Sequence, residues 1–412
     1  MTTLTEAPAA TAPATPWSPS RSRVAMLLSC ESFEGFFGGT FGLDRRRYLE
    51  EYRNDFAWEY GEGLRQLGHE VFLYILSYGP PALHQVKPGF FVRFLPLPRW
   101  LRAADAPLYR LRHLPHGARL RDMVAHAGYR APLEAALAQD RIALFYVQEF
   151  WTPRFDILAR SIRLPVIGAD HGALRDRRMD RRLRVSMPRA AMLICQISHG
   201  VEEVTKLGGH ARLMPNGVDA ALFSPPPAGT VRPKTILAVG RLEEPQKRVS
   251  DLIAAMPLLP DFTLTIIGRG RDSEHLQLLA DRLGVAARVH FAGFIGDRAV
   301  LREHYRSCGV FVSTSAWEAM ALVMLEAMSC GAPVVGTEIP SFQEILRNGE
   351  NGFLVPVGAP ERLAQAIRAA HERQAALGAA SRETVLERYN AAKVYAQLSE
   401  VIEAAVKVGE GR

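Results

Sequence analysis

Residues 310–336 read VFVSTSAWEAMALVMLEAMSCGAPVVG: a β-branched run, a polar turn, a helical stretch and a second apolar run entered through Gly331-Ala332-Pro333. A strand at Val310–Thr314, a helix and a strand at Pro333–Gly336 make one βαβ unit, the building block of a parallel sheet. The same rhythm continues outward on both sides. Phe353–Val355 follows, and Val289–Ala292, Thr263–Ile267, Thr235–Val239 and Arg212–Pro215 precede it, so a second sheet is predicted to begin near Ala211. An earlier series predicts a first sheet: Val24–Ser29, Val71–Ser77, Val92–Leu97, Ile142–Val147, Pro165–Ala169 and Met192–Ile197. Several of these runs are almost wholly apolar, as strands covered on both faces should be.

The fold class is therefore α/β, with one unit over 22–208 and another over 209–388. Residues 1–21, rich in Ala, Thr, Pro and Ser, read as a flexible tail. Leu207-Gly208-Gly209 closes a helical stretch and places a hinge around Lys206–His210, while Ser224-Pro225-Pro226-Pro227 reads as a surface loop. Over 389–412, Val394, Leu398, Val401 and Ile402 form an apolar stripe on a helix that must pack on something.

Composition sets the outer limits. A length of 412 residues fits two or three domains with sizeable cores. With 48% hydrophobic and 23% charged residues the chain falls outside the disordered class. Its net charge of +7 favours anionic ligands but is too diffuse to indicate nucleic acid. Cys30, Cys195, Cys308 and Cys330 form no C-x-x-C pair, so no zinc knuckle or redox motif is written, and reduced thiols in a cytoplasmic setting are expected. Val71–Val86 is the longest uncharged candidate for a membrane span, and Gly79-Pro80-Pro81 breaks it. The N-terminus lacks the basic start and apolar core of a signal peptide.

Glu318 and Glu326 stand eight positions apart, about 2.2 turns at 3.6 residues per turn, and share a face if one helix holds both. The helix start near Met320, Ala321 and Leu322 offers unpaired N–H groups and partial positive charge suited to phosphate. Carboxylates accept hydrogen bonds from sugar and ribose hydroxyls; two solvated glutamates would be written the same way. The strand Thr235–Val239 runs into Gly240-Arg241-Leu242, with Lys247-Arg248 beyond. A guanidinium and an ammonium placed there neutralise a diphosphate without a metal, although a solvated basic loop is the alternative. Met214-Pro215-Asn216-Gly217-Val218-Asp219 says only turn.

Taken in order, PNGVD at 215–219, GRL…K at 240–247, E-x7-E at 318–326 followed by AMSCGAPVV, and NGENGFLV at 348–355 resemble the C-terminal half of family 4 glycosyltransferases of the GT-B fold. The resemblance implies two Rossmann-like domains facing across a cleft and a nucleoside-diphosphate sugar, UDP- or GDP-linked, held mainly by the second. It implies transfer of the sugar to an acceptor with retention of anomeric configuration, and no cofactor or metal. It assigns Arg241 and Lys247 to the diphosphate, Glu326 to the ribose and Glu318 to sugar hydroxyls beside the reacting centre. Met320, Ala321 and Leu322 would present backbone N–H groups, and the loop with Phe294 and Ile295 would meet the nucleobase. Ala319-Met320-Ala321 stands where many members carry a glycine.

In the first half the resemblance rests on Gly38-Gly39, Gly68-His69-Glu70-Val71 and Ala169-Asp170-His171-Gly172. His171 is the implied contact to the donor sugar or aligner of the acceptor. Gly38 and Gly39 are acceptor-side candidates, and so is Glu149, which with Gln148 ends a strand at the carboxyl edge facing the crevice. The Gly39-to-His69 interval is longer than the family's usual one. The excess, Thr40–Arg53 with Asp44-Arg45-Arg46-Arg47, either shapes the acceptor site or elaborates the surface. The resemblance also expects the terminal helix to cross back onto the first domain.

Two basic stretches remain, the six-arginine run Arg175–Arg184 and Arg99-Trp100-Leu101-Arg102 with Arg110 and Arg112. Each fits a solvated face or a weak peripheral contact with the inner face of a membrane. In the family, retention is explained without a protein nucleophile: the acceptor attacks on the side the diphosphate leaves, and that phosphate takes its proton. Glu318 and His171 then position, while Arg241, Lys247 and the helix start stabilise the leaving charge. The rival readings are a nucleotide-sugar epimerase or hydrolase of the same architecture and a non-catalytic sugar-nucleotide binding protein. A nicotinamide enzyme is disfavoured because no G-x-G-x-x-G follows the first strand.

Overall fold

The computed structural model describes residues 18–52, 56–102, 117–171 and 180–410. Among them, eight strands form a first sheet: β1 (Arg23–Leu27), β2 (Glu70–Ser77), β3 (Ala82–Lys87), β4 (Phe90–Pro96), β5 (Leu144–Gln148), β6 (Val166–Ala169), β7 (Met192–Cys195) and β8 (Ala211–Leu213). Their order is β3-β4-β2-β1-β5-β6-β7-β8, parallel except for the β3–β4 hairpin. A second sheet holds β9 (Thr235–Val239), β10 (Thr263–Ile267), β11 (Val289–Gly293), β12 (Val310–Ser313), β13 (Val334–Thr337) and β14 (Phe353–Val355). It is wholly parallel, in the order β11-β10-β9-β12-β13-β14.

The apolar runs become two-sided strands. Val24 and Met26 of β1 enter one core while Ala25 and Leu27 enter the other, and Ile236 and Ala238 are separated in the same way from Leu237 in β9. Alternate side chains thus bury opposite faces of each sheet under helices, which is why these strands carry no polar stripe. Truncating one such side chain, for instance Leu73 to Ala, costs about 2–5 kcal/mol.

Two expectations are corrected. The strand placed at Arg212–Pro215 does not open the second sheet: Ala211–Leu213 pairs in parallel with β7 and closes the first. Gly208, at φ +81°, and Gly209 return N–H groups to Thr205 and Val204. That pair is a helix C-cap leading straight back to a sheet edge, not a hinge. The edge strand β3 went unpredicted because its ALHQVK side chains are mostly exposed and show no apolar run.

The terminal stripe packs on the first sheet. Val394, Leu398, Val401 and Ile402 of the Ala391–Glu410 helix share a core with Val24, Val71 and Leu144. A Cβ on Gly63 would sit 2.0 Å from the Tyr395 ring, so glycine there lets the Phe56–Gln66 helix lie against the terminal one. Buried His69 secures the same joint, its Nε2 2.8 Å from Ser399 Oγ.

Both sheets reverse strand order beside their first strand, at β1/β5 and β9/β12, and loops at such switch points form the ligand crevice of open α/β sheets. In the second sheet three of these loops are zipped together. Gly240 N–H donates to Ile267 O at 3.0 Å, Leu242 N–H to Arg269 O at 3.0 Å and Gly268 N–H to Gly293 O at 2.8 Å.

The longer interval after β1 is folded. Glu34–Gly38 and Gly39–Phe41 are short helical segments, so Gly38 and Gly39 lie in helical backbone. Asp44 then caps the helix Arg45–Glu50 by accepting from Arg47 N–H at 2.8 Å. Tyr48 of that helix is buried against Phe33 and Phe37, and the Arg45 guanidinium lies 4.1 Å over the Phe94 ring. Arg53, which ends the expected insertion, lies outside the described residues, as do 1–17 of the expected tail.

Candidate active site

The loop after β9 delivers Arg241, whose half-exposed guanidinium donates to Glu243 at 2.9 Å and to Gln246 at 3.2 Å. A short helix, Glu244–Lys247, follows and turns Lys247 toward the loop after β12. There the Lys247 ammonium pairs with Glu318, whose Oε1 also accepts from Ser315 Oγ at 2.7 Å. Three further bonds stitch the loops: Thr314 Oγ1–H to Lys247 O, 2.9 Å; Ala316 N–H to Gln246 O, 2.7 Å; and Gln246 Nε2–H to Trp317 O, 3.2 Å.

Those bonds explain why one sequence expectation fails. Glu318 and Glu326 do not share a helix: the helix is Leu322–Ser329, with Ala321 as N-cap, and Glu318 lies in the preceding loop. Stitched to Gln246 and Lys247, residues 314–318 stay out of the helix. Met320 and Ala321 are buried, and Leu322 opens the helix with no side-chain cap, which leaves its first N–H groups without a capping side chain beside the Glu318 loop.

Glu326 is buried one turn into that helix. Tyr305 donates its hydroxyl to Oε2 at 2.8 Å, and Arg298 approaches Oε1 at 3.5 Å. Burial lifts the carboxyl above the ordinary range, while Arg298 and the Tyr305 hydrogen bond pull it back. Phe294 and Ile295 follow β11 one loop away. Phe294 is exposed, and its ring centroid lies 5.9 Å from that of Phe41 in the first half.

On the facing side, His171 follows β6 with both ring nitrogens engaged: Nε2 is 3.1 Å from Tyr146 Oη and Nδ1 is 2.9 Å from Gln196 Nε2. Burial drives its pKa from 6.5 down to about 3, so the imidazole is neutral. Gln196 also donates to Asn216 Oδ1 at 2.6 Å, which accepts from Tyr60 Oη at 3.0 Å as well, and Asn216 Nδ2 reaches Met320 O at 3.4 Å. A continuous polar chain thus runs from His171 to the start of the Leu322–Ser329 helix. Glu149 sits beside His171, accepting its backbone N–H at 3.4 Å, at φ +65°, a left-handed backbone conformation rare for a glutamate.

Arg241, Lys247, Glu318, Glu326, Met320, Ala321 and Leu322 therefore meet around the loops after β9 and β12, with Phe294 and Ile295 at its side. His171 and Glu149 stand together at the first sheet's carboxyl edge, and Gly38 and Gly39 lie in the segment after β1. Reading the sequence missed Gln246, Tyr305, Arg298, Gln196 and Tyr146. Asn216 was visible in PNGVD but read only as a turn. Of the basic stretches, Arg181, Arg182 and Arg184 lie on the Asp180–Ser186 helix and Trp100 is exposed, whereas Arg110, Arg112, Arg175, Arg177 and Arg178 lie outside the described residues. Among the described residues no helix is long and apolar enough to cross a membrane.

Residues 233–373 match the family described as Glycosyl transferases group 1. A phosphatidyl-myo-inositol mannosyltransferase of Mycobacterium leprae is 35% identical over 221 residues, 50% of this chain and 57% of that protein. The lipopolysaccharide core biosynthesis glycosyltransferase LpsE of Rhizobium meliloti is 34% identical over 167 residues, 40% of this chain and 46% of that one. The chain spans about half the length of these curated relatives. Among solved structures, sucrose-phosphate synthase from Thermosynechococcus elongatus is similar with a TM-score of 0.74 at 20% identity, over 94% of this chain and 100% of that one. HepE from Anabaena in complex with UDP gives 0.67 at 20% identity, over 93% and 100%. These likenesses give the architecture, two Rossmann-like domains of the GT-B fold. Within it, residues 233–373 are a glycosyl transferases group 1 domain.

Proposed function

We propose that the protein is a glycosyltransferase that moves a sugar from a UDP- or GDP-linked donor to an acceptor with retention of anomeric configuration. One observation carries the reading: Arg241, the Lys247–Glu318 pair and the open start of the Leu322–Ser329 helix converge at the switch point of the second sheet. Two cations and a helix N-terminus suit a diphosphate, and the carboxylates beside them suit sugar and ribose hydroxyls. The names of the curated relatives support sugar transfer, and the UDP and UDP-glucose complexes of HepE support a nucleotide-linked donor.

In the proposed mechanism Arg241, Lys247 and the helix start stabilise charge growing on the departing diphosphate. Glu318 holds sugar hydroxyls, Glu326 holds the ribose, and the loop with Phe294 and Ile295 meets the base. The acceptor attacks on the face the diphosphate leaves, and the departing phosphate oxygen takes the acceptor's proton, so bond making and proton transfer balance without a protein nucleophile. His171, neutral and held on both nitrogens, positions instead of exchanging a proton. The diphosphate's charge is assigned to protein groups, so transfer proceeds with EDTA present.

The experiment incubates labelled UDP-glucose, UDP-galactose and GDP-mannose with the protein and a cell extract as acceptor source, and determines the anomeric configuration of the product by NMR. Label in a new α-linked product from an α-linked donor supports the reading. Label recovered only as free or epimerised sugar would instead support the hydrolase or epimerase alternative.

A further inference from the structure

Arg298 stands where four parts of the molecule meet, and reading the sequence gave it no role. It is the first residue of the helix Arg298–Ser307, capped by Asp297, whose carboxylate accepts from Ala299 N–H at 2.7 Å. That places it three residues after the Phe294–Ile295 loop. One arm of its guanidinium approaches Glu326 Oε1 at 3.5 Å; the other pairs with Glu59, on the Phe56–Gln66 helix of the first domain. The plane lies 5.0 Å from the Phe223 ring centroid, and Asp219 and Tyr395 add their fields from the PNGVD turn and the terminal helix. All three members of the ion-pair chain are largely covered, with 14% of the Glu59 side chain, 20% of Arg298 and 9% of Glu326 exposed.

Resting on the donor reading above, we propose that Arg298 is a positioning residue that aims the Glu326 carboxylate at the ribose and, through Glu59, makes donor seating and domain closure one event. A charge this well covered is tolerated only while paired, so the Glu59 contact is strongly favoured once formed. Arg298 reaches the base loop through the backbone, the ribose carboxylate through one arm and the opposite domain through the other. A donor that fixes the first two therefore fixes the angle at which the third is met. Two sites sharing one element favour each other's occupied state by the same factor. Lysine would not substitute, because one ammonium lacks the fork that reaches two carboxylates in different directions.

The test compares the parent with Glu59→Gln, Arg298→Met and the double variant, by small-angle scattering with and without UDP or GDP and by the affinity for each nucleotide. Glu59 touches no donor group in this account. Glu59→Gln should enlarge the unliganded protein and weaken nucleotide binding at least about fivefold, a typical coupling. In the Arg298→Met background Glu59→Gln should add nothing. A second readout separates aiming from mere support. The groups facing Glu326 are Arg298, Tyr305 and Cys330, so losing Arg298 should move the acid limb of kcat/KM to higher pH. Unchanged scattering and affinity in Glu59→Gln overturn the coupling and leave the donor reading standing. A parent that binds neither nucleotide overturns the donor reading and the coupling with it.

Discussion

Lys247 and Glu318, 71 positions apart in sequence, meet as an ion pair between the loops after β9 and β12. Only 17% of one side chain and 10% of the other is exposed, so the pair is screened from water. It gives the site two settings. In this structure Glu318 balances the ammonium; in the proposed reaction a bound diphosphate would share it. Glu318→Gln should therefore lower transfer from the nucleotide-sugar at least about tenfold, or about 1.4 kcal/mol of transition-state stabilisation. It should also leave affinity for the free nucleoside diphosphate equal or greater, since Lys247 loses its competitor. Calorimetric titration beside steady-state rates tests this, and a fall in affinity for the free nucleoside diphosphate would contradict it.

Arg241 is the more exposed cation, with 48% of its side chain open. Truncating it should change stability by less than about 0.5 kcal/mol, as surface substitutions usually do. The same Arg241→Ala change should cut kcat/KM at least about tenfold. An unchanged kcat/KM in a variant of native stability would remove the guanidinium from the mechanism.

The zipped loops behind Arg241 depend on Gly268. A Cβ there would lie 1.8 Å from the Gly240 carbonyl oxygen, at φ +145°. Gly268→Ala must push the Arg241 loop away, and backbone strain of this kind costs about 1–3 kcal/mol. Urea unfolding should show that loss, and nucleotide affinity should fall with it. Native values of both would mean the loops are not coupled.

His171 makes a prediction about acid. The unfolded chain takes up its proton near the ordinary 6.5, and the folded chain only near about 3. The unfolded state thus binds more protons between those values, so stability is complete above pH 6.5 and falls as pH drops through the window. One group contributes at most about 1.4 kcal/mol per pH unit. Burial also lowers His69 and His126, so the parent loses stability through several groups, and the difference from His171→Gln isolates this one. Melting temperatures from pH 7 to 4.5 should fall less steeply in the variant; parallel curves would contradict the neutral, half-buried imidazole.

The parts legible in the sequence were those whose physics is local. Two-sided apolar runs marked the strands, and the Val394-to-Ile402 stripe marked a helix needing a partner. The order of Arg241, Lys247, Glu318 and Glu326 along the chain named groups that the structure gathers around the loops after β9 and β12. What escaped depends on pairing between distant segments. Ala211–Leu213 is too short for its own pattern to say which sheet it joins, and only the β7 ladder decides. Glu318 leaves the helix because Gln246 and Lys247 hold its loop, a contact that spacing along the helix cannot express. Arg298 and Tyr305 meet Glu326 only because their helix is laid beside it.

In the proposed reaction the second domain holds a nucleoside diphosphate between Arg241, Lys247 and the Leu322–Ser329 helix start. That binding is tested most directly by thermal denaturation with UDP-, GDP-, ADP- and TDP-sugars, because a ligand that binds only the folded state raises its stability by RT ln(1 + [L]/Kd). A rise in Tm with one nucleotide class is expected, lost in Arg241→Ala and in Glu326→Ala. No rise with any of the four, or a rise that both folded variants retain, would contradict it.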